Sequence, residues 1–453
     1  MKENRKDGRG RVSRRDFLGI SGALIAGASI APISLAAETK KEIKIKQTRV
    51  LGRTGFAASD IGMGCASLTE GNLVRYAYDK GLNYFDTAET YGRGASESAI
   101  GKAMPYMDRK KIFVTTKLDL KMDDTEQALI ERFQKSLGRL KTDYIDALLI
   151  AGATSVTQVK SEPFHAAVKK LKAEGRLKHA GVACHGPRGM GDPMEKVLVR
   201  AAEDGRFDIM LLVYSFLNQK EGENILAACK RYNIGTTAMK VAPGKLKDVP
   251  DFNPENPTAE QEERISMMKG FGMDDEAAIA QVKAMVEGDK AAREQTKPFV
   301  EKYGLKTEDQ LWEASIKWVR QNSDMHTVCI TMTDFDKVDK SIALSGESLT
   351  SEQVSLLKDY SIKLGSTYCR HACNECAGSC KYAVPVSTIM RYSYYYEQGY
   401  QRLAMEKYAA LKTRNESNAI SCAGCDAPCE GKCPHGVMVR NNLLNVHSML
   451  TLA

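Results

Sequence analysis

Leu82-Asn83-Tyr84-Phe85-Asp86 is a short, largely apolar run that ends in a carboxylate. A helical segment, Ser96–Met104, follows it, and a second run, Ile112–Lys117, then ends in a lysine. Short apolar runs separated by amphipathic helical segments are typical of parallel strands joined by helices. The segment therefore predicts a strand–helix–strand unit whose two polar residues lie at the same edge of a parallel sheet.

The same alternation repeats from about residue 45 to residue 350. The predicted strands are Asp60–Ala66, Leu82–Asp86, Ile112–Lys117, Tyr144–Ile150, Lys178–Cys184, Ile209–Tyr214, Gly235–Lys240 and Thr327–Thr331. The helical segments include Ser96–Met104, Thr125–Leu140, Pro163–Glu174 and Gly222–Tyr232. Eight such units predict an α/β fold, a (β/α)8 TIM barrel, with its chemistry at the carboxyl ends of the strands.

The segment from Asp248 to Lys306, between the seventh and eighth predicted strands, is too long for a plain loop. Two stretches in it, Ala259–Lys269 and Asp275–Lys302, have helical composition with many charges. We expect them to be solvated helices packed over the barrel mouth.

Eight of the twelve cysteines lie within the 65 residues that end at Cys433. They form two groups, Cys369-x3-Cys373-x2-Cys376-x3-Cys380 and Cys422-x2-Cys425-x3-Cys429-x3-Cys433-Pro434. Four thiolates hold a [4Fe–4S] cluster, and in the bacterial run that ends in Cys-Pro the last cysteine ligates the other cluster. We therefore predict two [4Fe–4S] clusters with crossed ligation. One set is Cys369, Cys373, Cys376 and Cys433, and the other is Cys422, Cys425, Cys429 and Cys380.

Two other uses of the eight cysteines stay open, because paired C-x2-C units also bind zinc and an exported chain also forms disulfides. The remaining four cysteines are single residues in apolar or helical context, and we expect them to be buried packing residues. They are Cys65, Cys184, Cys229 and Cys329.

The N-terminus reads as a targeting segment. A basic start leads into Ser13-Arg14-Arg15-Asp16-Phe17-Leu18, and no charge occurs between Phe17 and Ala37. This resembles a twin-arginine signal, which exports folded proteins. We predict that residues 1–37 are a signal peptide, removed to leave a periplasmic protein without a membrane span, and the alternative is an uncleaved anchor. Export in the folded state agrees with clusters that are assembled in the cytoplasm.

The formal net charge of +8 carries little information about partners. Residues 1–18 contain seven Lys or Arg and three Asp or Glu, so half of that charge leaves with the signal segment. A mature charge near +4 over this length predicts no nucleic-acid surface.

Several motifs resemble those of the aldo/keto reductase family. They are Asp86-Thr87-Ala88-Glu89-Thr90-Tyr91-Gly92 preceded by Gly81-Leu82-Asn83, then Thr116-Lys117, and Gly175-Arg176-Leu177-Lys178-His179-Ala180-Gly181-Val182. The resemblance covers residues 48–345. Residues 360–453 resemble the helical two-cluster ferredoxin domain that follows the barrel in some members.

The resemblance implies that Tyr91 donates a proton to a carbonyl oxygen as hydride arrives from a nicotinamide. Lys117, held by Asp86, would lower the pKa of the tyrosine. The alternative is that Asp86 and Lys117 form only a structural ion pair.

Departures from the family pattern argue against the implied NADPH. The family's catalytic histidine corresponds to Ala151, and the pair that grips the nicotinamide corresponds to Ala183-Cys184. The phosphate-binding segment corresponds to Thr331-Met332-Thr333, and the family's Glu-Asn corresponds to Lys340-Ser341. Each change removes a polar contact to the dinucleotide or the substrate.

Two further residues are candidates for the same mouth. His185-Gly186 is similar to a His-Gly pair in ferredoxin-bearing members, so His185 is a candidate to replace the missing catalytic histidine, against a structural role. Lys240 ends the seventh predicted strand and is a candidate to bind a phosphate or an anionic substrate, against a solvated rim lysine. The tyrosines of the segment Ser387–Lys412 are predicted to pack helices rather than to line an electron path. They are Tyr392, Tyr394, Tyr395, Tyr396, Tyr400 and Tyr408.

The sequence thus predicts a signal peptide at 1–37, a barrel domain at 45–350 and a ferredoxin domain at 360–453. The predicted function is an exported iron–sulfur oxidoreductase that couples one-electron transfer to redox chemistry of a small carbonyl or alcohol substrate or a bound cofactor. A redox partner protein would exchange the electrons. The alternatives are a non-catalytic electron-transfer or scaffold subunit and an ordinary carbonyl reductase with structural clusters.

Overall fold

The described part of the chain forms ten strands. The computed structural model describes residues 42–188, 191–244, 246, 251–270, 272–288, 290–307, 309–411 and 417–451, so the predicted signal peptide at 1–37 lies outside the described residues. The strands are β1 Thr48–Val50, β2 Ala57–Ser59, β3 Ile61–Gly64, β4 Tyr84–Asp86, β5 Phe113–Leu118, β6 Ile145–Ile150, β7 Leu177–Cys184, β8 Ile209–Val213, β9 Gly235–Met239 and β10 Thr327–Thr331.

Eight of these strands close into a parallel barrel in the order β10-β3-β4-β5-β6-β7-β8-β9. The predicted (β/α)8 barrel is therefore confirmed, with strand bounds within two residues of the predicted ones. The barrel strands are almost wholly buried, as their continuous apolar runs require. Parallel pairing brings the carboxyl ends of all eight strands to one rim, which is called the barrel mouth below.

Helices surround the barrel and continue beyond it. They are α1 Gly71–Asp79, α2 Ala95–Ala103, α3 Glu126–Leu140, α4 Val156–Val159, α5 Glu162–Ala173, α6 Met194–Asp204, α7 Gln219–Arg231, α8 Ala259–Gly270, α9 Asp275–Gly288, α10 Lys290–Tyr303, α11 Asp309–Gln321, α12 Phe335–Ala343, α13 Ser351–Lys363, α14 Val386–Glu397, α15 Gln401–Ala409, α16 Pro428–Gly431 and α17 Val439–Leu450. Capping residues define where some of these helices begin. Thr125 caps α3 by accepting a hydrogen bond from the Ala128 N–H, and Thr350 and Gln353 form a capping box at α13.

The end of the barrel opposite the mouth is covered by the antiparallel pair β1–β2, which the sequence reading missed because each strand has only three residues. The backbone at Gly52 lies so close to β9 that a Cβ atom there would come 2.3 Å from the Gly235 nitrogen. A buried ion pair between Asp60 and Arg320 ties the first barrel strand to α11 at the same end. These contacts stabilise the end of the barrel opposite the mouth, and functional residues are expected at the mouth itself.

Helices α8 and α9 pack on the C-terminal part of the chain, and their predicted place over the barrel mouth stays a prediction. Their buried residues Met268, Ala278 and Val282 join a second apolar core built from α14, α15 and α17. The predicted helical stretch Asp275–Lys302 is helical over its described residues, in α9 and α10. Apolar side chains on α9 pack against α17 in the second core.

Residues 43–453 form one compact unit. Residues 364–411 and 417–451, called the C-terminal region below, have their own apolar core but touch the barrel along its mouth. The division into domains at 45–350 and 360–453 stays a prediction. Within the described ranges, none of the helices has the length and apolar composition needed to cross a bilayer.

Candidate functional site

Asp86 and Lys117 form a buried ion pair at the barrel mouth. They lie on neighbouring strands, β4 and β5, and Lys117 Nζ is 2.5 Å from Asp86 Oδ1. Lys117 also donates to the Thr87 carbonyl at 2.7 Å, while the Thr115 hydroxyl donates to Asp86 Oδ2 at 2.6 Å. Burial by itself would lower the pKa of Lys117, but the Asp86 carboxylate outweighs it and raises the pKa, so the lysine stays charged.

Tyr91 stands over this pair, in a short 3-10 turn that follows β4. Lys117 Nζ lies 4.9 Å from the centre of the Tyr91 ring. The sequence predicted that Lys117 would lower the pKa of Tyr91. Burial instead raises that pKa, and Lys117 opposes the rise without reversing it, because the Asp86 carboxylate already partly cancels its charge. The three predicted residues are therefore together, with a phenol that is protonated at rest.

His185 follows β7 and lies near the position of the missing histidine. A Cβ atom built on Gly152, the neighbour of Ala151, would lie 3.6 Å from Cδ2 of His185. Burial, followed by the positive charge of Lys240, holds the pKa of His185 well below its usual range, so the ring is neutral near neutral pH. Its Nδ1 atom is buried and makes no hydrogen bond with any residue that the structure describes.

Lys240 lies at the mouth with its backbone in the left-handed region, at a φ of 53°. Its Nζ atom is 3.5 Å from the hydroxyl of Tyr395, a residue of α14 in the C-terminal region. Burial lowers the pKa of Lys240. Burial alone would raise the pKa of Tyr395, but Lys240 and then Arg391 outweigh it and lower that pKa. Lys240 thus contacts another segment of the chain and is not a solvated rim lysine.

The C-terminal region forms a roof over the mouth. Arg391 of α14 donates to the His185 carbonyl at 3.2 Å, and the Tyr400 hydroxyl donates to Thr331 Oγ1 at 2.9 Å. The backbones meet at Gly186, where a Cβ atom would lie 2.1 Å from the Cα atom of Ala372. Tight backbone contact and polar contacts together make the roof part of the site.

The aromatic side chains of the C-terminal region have two different environments. Tyr392 and Tyr396 are buried in the second core, as the packing prediction expected. Other rings form a continuous series towards the barrel, from Tyr368 to His371 at 5.4 Å between ring centres, then to Tyr394 at 4.5 Å and to Tyr395 at 6.4 Å. That series begins beside Cys369 and ends at Lys240, and its ring contacts are also packing contacts, as predicted.

The eight cysteines line two neighbouring cavities, with four in each. One cavity has Cys369, Cys373, Cys376 and Cys433 in its wall. The other has Cys380, Cys422, Cys425 and Cys429. Val386, the first residue of α14, lines both cavities. The structure therefore gathers the two sets that crossed ligation requires.

The two cavities share a hydrogen-bond pattern to sulfur. The Val384 N–H donates to Cys380 Sγ and the Val437 N–H donates to Cys433 Sγ, each at 3.4 Å. In both cases the donor lies four residues after the cysteine. Backbone donors to ligand sulfurs are a normal feature of iron–sulfur sites. A repeated loop of this kind fits a site that binds the same group twice.

Disulfides and zinc were the open alternatives for these cysteines. The described cysteines all have free thiols, so there is no disulfide among the described residues. Nor do any three described His, Cys, Asp or Glu side chains converge on one metal ion. Zinc needs four sulfurs about 2.3 Å from a single centre, whereas a four-iron core gives each thiolate its own iron and spreads the sulfurs apart. Either group would be held by the four thiolates that line each cavity.

The sequence reading missed the contribution of the roof, which includes Arg391, Tyr395 and His371. One local signal was present, because Arg391 and Tyr395 are four residues apart and so lie on one face of α14. The four single cysteines were predicted to be packing residues, and Cys65, Cys184 and Cys229 are indeed buried. Cys329 on β10 is only partly buried by its exposed area. Burial, followed by the Asp86 carboxylate, holds the pKa of its thiol well above the ordinary value.

A closed parallel barrel with a buried Asp–Lys pair beneath a mouth tyrosine defines a (β/α)8-barrel protein with a polar site at the strand ends. The sequence model of the aldo/keto reductase family matches residues 61–362, and the chain belongs to that family.

Relatives support the same family. Probable aldo-keto reductase 1 of Glycine max is 28% identical over 204 residues, which cover 41% of this chain and 56% of that protein. The uncharacterized oxidoreductase YqkF of Bacillus subtilis is 29% identical over 217 residues, covering 45% of this chain and 67% of that protein. The chain thus spans only about half the length of the first relative. Its family is one of oxidoreductase enzymes.

The barrel also aligns with solved structures. The aldo-keto reductase AKR11C1 from Bacillus halodurans is 20% identical, with a TM-score of 0.47 and coverage of 69% of this chain and 95% of that one.

Proposed function

We propose that the protein is an exported iron–sulfur oxidoreductase, in which the C-terminal region carries two [4Fe–4S] clusters and the barrel mouth acts on a small carbonyl or alcohol. The observation that carries this proposal is the position of the roof. The same helix, α14, begins at the wall of both cysteine cavities and contributes Tyr395 to the barrel mouth. A redox group and a proton-transfer site would therefore be neighbours.

The cysteine cavities fit the clusters, with four thiolates and a backbone donor to sulfur in each. Bound clusters would supply single-electron transfer, exchanged with a redox partner protein. The chain's own residues would do the rest. The Tyr91 hydroxyl would give or take the proton of the substrate oxygen, and Lys117 would stabilise the charge that develops there. Neutral His185 would orient the carbonyl group.

The residues at the expected nicotinamide and phosphate positions do not fit NADPH. Ala183 and Cys184 are fully buried and offer no amide group at the mouth. Thr331 is already bonded to Tyr400, and Lys340 is paired with Asp309 at 2.5 Å. No step of the proposed chemistry is assigned to that cofactor. Reduction of a carbonyl would then take two electrons, one from each cluster, and two protons, with Tyr91 giving the proton on oxygen and solvent the proton on carbon. This also suits a protein exported to a compartment without an NADPH pool.

The export part of the proposal depends on residues 1–37. The pattern Ser13-Arg14-Arg15-Asp16-Phe17-Leu18 supports the twin-arginine route. That route carries folded proteins with their cofactors in place, so it suits a protein whose clusters are assembled in the cytoplasm. A periplasmic location would follow from it. Fractionation of cells that express the full chain, compared with an Arg14→Lys, Arg15→Lys variant, would test the location directly.

A scaffold role is the second candidate. One observation favours it. Within the described residues, Lys117 donates hydrogen bonds to Asp86 and to the Thr87 carbonyl, but none to the Tyr91 hydroxyl. In that role the barrel would only dock a partner, and only the clusters would act.

An anaerobic titration followed by visible iron–sulfur absorption tests these proposals. We expect no bleaching on addition of NADPH and full bleaching on addition of dithionite. Bleaching by NADPH would overturn the cofactor argument and make the protein an ordinary reductase. Purified protein without visible absorption or iron would refute the cluster assignment itself.

A further inference from the structure

Two positive charges meet at the contact between the barrel and the roof. Lys240 comes from the barrel, and its polar partner is the Tyr395 hydroxyl. Arg391 comes from α14 and donates to the His185 carbonyl and, at 3.5 Å, to Thr388 Oγ1. Within the described part of the chain, neither cation has a carboxylate partner. Placing unpaired charges in a partly buried site is costly, so an anion is expected to complete it.

The two cations lie close to each other and to His185. Both lower the pKa of His185, and Arg391 also lowers that of Lys240, so their charges lie close enough to add. The rings of Tyr394 and Tyr395 enclose Lys240, with their centres 5.5 Å and 4.7 Å from Nζ. Two cations and two aromatic rings thus meet where the barrel contacts the C-terminal region.

Unpartnered polar atoms mark the same place. Nδ1 of His185 and Nε2 of His371 are both buried, and neither makes a hydrogen bond within the described ranges of the chain. His371 is only 8% exposed and touches the Tyr394 ring. Buried polar atoms nearly always have a partner, so orphan atoms beside two unpaired cations indicate a missing ligand.

The backbone of Lys240 gives a third, independent sign. A lysine with a φ of 53° is in the left-handed region, which is unfavourable for a residue with a side chain. Such conformations persist where the surrounding structure holds them, and they concentrate at functional sites. Here the strained backbone directs the lysine towards the roof.

We infer that Lys240 and Arg391 bind the carboxylate of a small oxo acid or hydroxy acid, which is the substrate of the mouth. This inference rests on the proposed function for its redox step and adds the substrate class. An ammonium and a guanidinium group suit a carboxylate, and the arginine can hold it by two parallel hydrogen bonds. The carbonyl or hydroxyl group next to that carboxylate would then face Tyr91 and Lys117. The aromatic enclosure restricts the site to a compact anion.

Binding to the intact, cluster-loaded protein with oxidised clusters tests the inference without turnover. The probes are pyruvate, lactate and phenylpyruvate, each compared by calorimetry with its neutral amide, together with inorganic phosphate and NADPH. We expect at least one acid to bind at least tenfold more tightly than its amide. Equal binding of acid and amide, or tighter binding of phosphate or NADPH than of every acid, would overturn the inference.

Charge-removing variants locate the site. Lys240→Met and Arg391→Met should each weaken binding of the acid by about 10–100-fold, the worth of one charge-assisted hydrogen bond. The matched controls are Lys135→Met on α3 and Arg402→Met on α15, which remove exposed cations. Arg391→Lys should retain part of the affinity, and unchanged visible cluster absorption would show that each variant is folded. Equal binding by Lys240→Met and Lys135→Met would refute the site.

The inference and the proposed function can fail separately. Turnover of neutral aldehydes without selective binding of acids would refute the anion site alone. Tight binding of an acid whose turnover survives Tyr91→Phe would refute the catalytic role of Tyr91 and leave the anion site standing.

Discussion

Replacement of Gly186 by alanine tests whether the roof depends on close backbone contact. Gly186 has a φ of 94°, and an added Cβ atom would lie 2.1 Å from Ala372 Cα and 2.8 Å from its nitrogen. The left-handed backbone costs about 1–2 kcal/mol with a side chain. Overlap with backbone atoms cannot be relieved by rotating a side chain, and overpacking adds about 1–3 kcal/mol. We expect a loss of about 2–5 kcal/mol in the free energy of unfolding.

Gly205 provides a matched control for the backbone part. It has a φ of 79° and no atom within 4 Å of an added Cβ, so Gly205→Ala should lose only about 1–2 kcal/mol. Urea unfolding followed by circular dichroism and by cluster absorption would measure both variants. Limited proteolysis between the barrel and α14 should accelerate only in Gly186→Ala. Equal destabilisation by the two substitutions, with unchanged proteolysis, would refute the docking argument.

Three further predictions follow from the site. Tyr91→Phe should reduce turnover by about 10²–10⁴-fold while dithionite still bleaches the clusters, and unchanged turnover would favour the scaffold role. The double variant Cys369→Ser, Cys433→Ser should retain about half of the iron under crossed ligation, whereas ligation in chain order would lose nearly all of it. Burial raises the pKa of Glu221 from its ordinary value of 4.5 to about 7. The folded state therefore keeps a proton that the unfolded state releases, so the stability from this group is complete below pH 4.5 and is lost as the pH rises through 7. Glu221→Gln should remove about 1–2 kcal/mol of that pH dependence in urea unfolding, after allowance for partial exposure. An unchanged dependence of the free energy of unfolding on pH would contradict the raised pKa of Glu221.

The barrel was predictable because its signals are local. Each strand is a short apolar run, and Asp86 and Lys117 end two such runs, so their meeting at the mouth followed from parallel pairing alone. The three-residue strands β1 and β2 gave no such signal. The cysteine sets were also readable, because the spacing and the terminal Cys433-Pro434 imply crossing.

The roof was not predictable in the same way. Arg391 and His185 are 206 residues apart in the chain, and no sequence pattern in either segment predicts contact with the other. Nothing in the sequence indicated that buried residues of α8 and α9 share an apolar core with α14, α15 and α17. The predicted pKa of Tyr91 failed for a related reason. Sequence gives the identity of a charged neighbour but not the degree of burial, and burial dominates here.

The contact between Lys240 and Tyr395 has a consequence for the evolution of the chain. A gene fission between the barrel and the C-terminal region would leave each product with half of the contact at the barrel mouth and an exposed complementary face. Recombination of barrels among relatives would have to bring α14 along to keep that contact. The two segments are thus expected to be inherited as one module.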